Sequence, residues 1–271
     1  MQTWAHPALW PFLVAASSAG VFALVASVVP PGRLRGGIVA LGLSVAWGAG
    51  LWFAARAPQW PPTGADGWQF YAVLLAGAAA VAGPLWRGGS WRPVAAGGIL
   101  LAVFFVSQAP GFSLVVGLWV AGCALLALAN LWSVAAVGRS VQAAVTLFAL
   151  AVFALVVGAV LDFSVSASAG QSAQVFAAGS GAVWLVSLAL RRQLDLRPSG
   201  LVAAVVLGGL LAHAGMAGRL GAVSVLLLAC AWPVAALAAR LLHRQSGMVR
   251  GVAVVLLLVV LCFAALWTAK I

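Results

Sequence analysis

Uninterrupted apolar runs follow one another along the whole of this chain, and each is long enough, as a helix, to cross a hydrocarbon layer about 30 Å thick. No stretch between them has the size or polarity of a water-soluble domain. With 6% charged residues and 65% hydrophobic ones, the chain lies far from the roughly 25% charged content of soluble proteins. The runs are continuously apolar and rich in Ala, Leu, Val and Gly, without the period-2 alternation that a membrane barrel needs. The expected class is therefore all-α, a polytopic integral membrane protein.

Ten spans are expected, at about residues 10–30, 37–55, 68–86, 94–108, 112–132, 140–161, 173–190, 199–214, 220–241 and 251–269, the fourth and eighth being short. Ten spans put Arg33, Arg35, Arg87, Arg92, Arg139, Arg191, Arg192, Arg197, Arg240, Arg244 and Arg250 on one side of the bilayer. Arg56, Arg219 and Lys270 are left on the other. Basic residues in short loops are retained in the cytoplasm during insertion, so this asymmetry predicts both termini on the outer, periplasmic side of a bacterial inner membrane. The first run is expected to stay as a helix, because no basic segment precedes it and no small-x-small cleavage site comes after it. Losing one span would reverse the sidedness of everything after it and spoil the charge pattern. The chain reads as one membrane domain, 1–271, with possible halves 1–138 and 139–271.

The net charge of +11 is spread in ones, twos and threes between spans, which makes it a topology signal and argues against nucleic acid as a partner. Trp10, Trp68, Trp86, Trp91, Trp132 and Trp267 fall near span ends, where an amphipathic ring prefers the headgroup region. Trp47, Trp119, Trp184 and Trp232 fall deeper and are expected to fill gaps between helices. The longer outward connections are expected at 57–67 and 162–172, the latter (DFSVSASAGQS) as a flexible link. Cys123, Cys230 and Cys262 lie within spans as small apolar residues.

Groups that could carry chemistry are few. No Asp, Glu, Lys or Arg falls near the middle of an expected span and Glu is absent, so a carboxylate relay for protons or cations cannot be assembled from this chain. His213, at the outer end of the eighth span, could act as a proton shuttle or haem ligand. A hydrogen-bonded helix-end residue is the simpler reading. Arg240, His243 and Arg244 form an interfacial basic cluster suited to lipid headgroups. Gln108, Asn130 and Gln142 read as helix-to-helix or backbone hydrogen bonders. Pro233 is expected to kink the ninth span; a broken helix can mark a transport site when a polar partner accompanies it. Neither a metal-ligand spacing nor an enzyme motif is present in the sequence, so no cofactor and no enzymatic activity are expected.

Three stretches carry a family resemblance. Asp66-Gly67-Trp68-Gln69-Phe70 enters a span from an outer loop, APGFSLVVGLWVAGCALLALANLW spans 109–132, and Ser140-Val141-Gln142-Ala143-Ala144 opens the next span. This order resembles the N-terminal part of the antiporter-like, proton-pumping membrane subunits of respiratory complex I and related cation/proton antiporters, over about 60% of the chain. The resemblance implies an outward N-terminus and membership of a larger membrane assembly. It places Trp119 where that family has its pump glutamate, and no intramembrane lysine matches the glutamate's partner. The role it implies is that of a non-catalytic structural or accessory subunit of a multi-subunit inner-membrane complex, with membrane lipids and other membrane subunits as partners. Two other readings stand beside it: a ten-helix secondary transporter of the drug/metabolite type built from two five-helix halves, and a lipid- or pigment-contacting scaffold.

Overall fold

The computed structural model of the chain describes residues 9–30, 33–54, 65–82, 141–191, 194, 198–216 and 220–269, with 125, 129, 130, 132–134 and 136–138. Eight α-helices are delimited among them and no strand occurs: α1 (Trp10–Val28), α2 (Arg33–Phe53), α3 (Ala65–Ala82), α4 (Ala143–Ser164), α5 (Ala167–Ala189), α6 (Ser199–Met216), α7 (Ala222–Leu241) and α8 (Gly247–Ala269); the described residues between 125 and 138 are helical as well. Six are long and apolar enough to cross a membrane: α1, α4, α5, α7, α8 and Leu34–Phe53 of α2. Apolar stretches of α3 and α6 are shorter. The all-helical, multi-pass class is therefore what the described residues show. The expected fourth span and most of the fifth lie outside them.

Helix ends obey local chemistry. Pro11 occupies the first turn of α1, where its missing N–H costs nothing, and the helix stops before Pro30. Leu190 caps α5, and Arg191 comes next in the left-handed region at φ 49°, a common way to end a helix. The expected flexible link at 162–172 is not one. α4 runs on to Ser164, Ser166 caps α5 by accepting from the Ala169 N–H at 3.2 Å, and α5 is helical from Ala167. Ser/Gly/Ala composition resembles a loop in hydropathy. Here Ser172 Oγ donates to the Ser168 carbonyl at 3.0 Å, so the hydroxyl is satisfied within the helix.

Small residues set the helix spacing. Ala15, Ala19, Ala23 and Ala26 belong to the buried stripe of α1, and a Cβ added to Gly179 of α5 would lie 3.6 Å from the Cβ atoms of Ala19 and of Ala46 in α2. At the α4–α5 hairpin, a Cβ on Gly158 would lie 2.7 Å from Gln174 Cγ, and one on Gly170 would lie 2.6 Å from Asp162 Cβ. Both positions require glycine. Trp47 and Trp232 are buried between helices as expected, Trp47 donating from Nε1 to the Ser172 carbonyl at 3.0 Å and Trp232 meeting Phe153 edge-on at 6.0 Å, while Trp184 is half-buried, 5.1 Å from Phe148. Trp119 lies outside the described residues.

These contacts also give helix directions. Gly42 meets Phe22 while Gly50 meets Pro11, so α1 and α2 are antiparallel. Val175 lies against Gly50, at the level of Pro11 and Ala15, and Gly179 against Ala19, so α1 and α5 run in parallel. Gly37 meets Ala80 of α3, Asp162 meets Gly170, and Ser224 bonds Thr268 across α7 and α8. Gly251 packs on Val141 and Val145, which puts the starts of α4 and α8 together. Arg35, Arg191, Arg240, Arg244 and Arg250 consequently share one end of the bundle, and Asp162 is at the other.

α6 is the most enclosed helix. From Ser199 to Ala214 all but Gly208 and His213 are buried, whereas α8 turns a continuous row of large side chains outward, including Val252, Leu256, Val260, Phe263 and Trp267.

Candidate functional site

The clearest departure from plain helix packing lies at the proline inside α7, which stays one continuous helix from Ala222 to Leu241. Pro233 sits inside α7 and has no N–H, so the carbonyl four residues back, on Ala229, loses its helical donor. The Asn130 side chain replaces it: Nδ2 donates to the Ala229 oxygen at 2.7 Å, across 99 residues of sequence. In hydrocarbon, where water cannot take that role, an unsatisfied carbonyl is costly. The carbonyl freed by the proline thus has a polar partner.

Beside it lies a cavity of about 50 Å³, lined among the described residues by Asn130, Val134 and Phe153, by α6 from Ala203 to Ala212, and by Val225, Leu228, Ala229 and Trp232 of α7. Trp232 is 1% exposed, and its Nε1 finds no acceptor among the described residues. At about 10–15 Å³ per enclosed water, the space suits a few water molecules and not an organic substrate. The lining offers an amide and an indole N–H on an apolar wall. It can hold a small neutral hydrogen-bonding group, and none of the described lining residues carries a charge.

A second amide works in the same way. Gln69 of α3, 3% exposed, donates from Nε2 to the Val206 carbonyl of α6 at 2.9 Å, tying the enclosed helix to its neighbour. The sequence placed Gln69 only within a resemblance, and Asn130 only as a general hydrogen bonder. Their acceptors are backbone carbonyls far away in the chain, and no spacing rule points to them.

The other candidates are scattered. His213 is half-buried in the last turn of α6 and joins no cluster; among the described residues no group of three His, Cys, Asp or Glu side chains could hold a metal. Arg240, His243 and Arg244 stand exposed around the α7–α8 turn, where His243 Nδ1 lies 3.1 Å from the Arg240 carbonyl. Cys230 and Cys262 are free thiols. No protein-family model, curated protein or solved structure matches the chain.

Proposed function

We propose that this chain is a non-catalytic subunit of a multi-subunit bacterial inner-membrane complex, with ten spans and both termini outside, that packs against partner helices and shapes their surroundings. The observation that carries this reading is the close packing of the described helices, which meet through Ala, Gly, Val and Leu, with the cavity beside the α7 proline far too small for a solute of metabolite size. The resemblance to antiporter-like complex I subunits, with Trp119 in place of the pump glutamate, agrees with it, as does the outward apolar row of α8, which lipid or a neighbouring helix would cover. The test is purification of the full chain in a gentle detergent and then native mass spectrometry. A stoichiometric membrane partner is expected; recovery as a lone monomer from its native membrane would overturn the reading.

One observation favours the runner-up, a small secondary transporter. A helix with an internal proline whose freed carbonyl is held by a side chain from elsewhere offers a hinge point of the type on which alternating access is built. Spin labels at Gly221 and Gln245, flanking α7, in a background lacking the native cysteines, separate the two readings. One narrow distance distribution supports the packed subunit, and two interconverting populations support the transporter.

A further inference from the structure

Among the described residues Arg35 is the one charged side chain that is buried, at 7% exposed. Its Nε and Nη2 both donate to a single acceptor, the Val29 carbonyl, at 3.1 and 2.5 Å. A guanidinium has five N–H donors and a full charge, and taking it out of water is costly unless an anion accompanies it. A lone carbonyl supplies none. The chain has three acidic residues in all. Asp66 lies in the first turn of α3, and because α3 runs antiparallel to α2, that turn is at the opposite end of the bundle from Arg35. Asp162 is also at the opposite end, and Asp195 is outside the described residues. Arg35 further occupies the first turn of α2, which contains no acidic residue and where unpaired backbone N–H groups already concentrate positive charge.

We propose that Arg35 binds the phosphate of an anionic phospholipid at the α1–α2 turn. The surroundings favour a lipid over a carboxylate of another protein. Val28 is 80% and Leu34 41% exposed, so apolar side chains that belong in acyl chains stand on either side of a cation at the end of two apolar helices. The planar fork of arginine matches two phosphate oxygens, with Val29 fixing one edge of the guanidinium and leaving donors for the ligand. The exposed cluster Arg240, His243 and Arg244 gives a diffuse attraction to the same surface, whereas Arg35 is held in one orientation.

The test is native mass spectrometry of the full chain released from micelles containing equal amounts of phosphatidylglycerol and phosphatidylcholine with matched acyl chains. Wild type is expected to retain phosphatidylglycerol preferentially, and Arg35→Gln to lose that preference by about tenfold, the scale of a charge-assisted hydrogen-bonded pair. Arg191→Gln, at an exposed arginine of the same end of the bundle, is expected to keep it. If Arg35→Gln does not fold, Arg35→Lys decides, since it preserves the charge but loses the fork and should weaken the preference only in part. Equal retention of both lipids by wild type, or an unchanged preference in Arg35→Gln or Arg35→Lys, overturns the proposal. Protection against heating by inorganic phosphate alone, equal to that by phosphatidylglycerol, would reassign the site to a soluble anion. Loss of a co-purifying protein from Arg35→Gln without any change in lipid would assign it to a partner's carboxylate.

Discussion

Replacing Asn130 by leucine, a side chain of similar size, removes the donor that the Ala229 carbonyl receives in place of the one lost to Pro233. A buried carbonyl left unsatisfied costs about 1–3 kcal/mol, while interhelical hydrogen bonds measured inside membranes average about 0.6 kcal/mol and reach about 1.7. Because the bond is short and the acceptor has no helical donor, a loss of about 1–1.5 kcal/mol is expected, toward the upper end of the membrane values. Pro233→Ala changes the balance. Its new N–H can close the normal bond to Ala229, so in that background Asn130→Leu should cost only about 0.5 kcal/mol. The difference is a coupling of about 0.5–1 kcal/mol, and contacts of Asn130 unrelated to Ala229 cancel in the cycle. Reversible unfolding by dodecyl sulfate in mixed micelles, monitored by circular dichroism, measures all four corners. Additivity to within about 0.3 kcal/mol would refute the idea that Asn130 is there to serve the proline break.

Packing and topology set other outcomes. Gly158→Ala should cost about 1–3 kcal/mol in the same assay because its Cβ would fall 2.7 Å from Gln174 Cγ, whereas Gly181→Ala, with open space around it, should be neutral or stabilising. Trp47→Phe should lose about 1 kcal/mol as the Ser172 carbonyl forfeits its indole donor; no change would mean that this link between α2 and α5 is not felt. Reporter fusions should give alkaline phosphatase activity, and no fluorescent protein signal, after Ile271, with the reverse at Gln245 in the α7–α8 turn. The opposite pattern would invert the proposed topology.

Apolar length made most of the fold readable. Eight of the expected stretches coincide with α1–α8, six of them long and apolar enough to cross a membrane, with bounds displaced by at most four residues except at the start of α5, which begins six residues early. The segment at 162–172 departs from expectation for the complementary reason. Its serines lower hydropathy as a loop does, yet Ser166 and Ser172 satisfy themselves on nearby backbone groups and the helices continue. Pro233 was recognisable as a break, but not the donor that repairs it, since nothing in the sequence links residue 130 to residue 229. Arg35 was readable only as one of eleven arginines on one side. Burial and a single carbonyl partner set it apart, and both are properties of the folded turn.

The enclosure of α6 bears on how the bundle is assembled. The helix is synthesised after α2 and α3, which it touches, and before α7, which also covers it. On leaving the insertion machinery it has lipid around part of its circumference. Closing α7 over it exchanges those lipid contacts for protein ones, with the Gln69 amide already able to set its height against α3. The fold therefore has a last step that belongs to docking rather than to insertion. A chain arrested before α7 should carry every earlier helix in the membrane and still have one face of α6 uncovered.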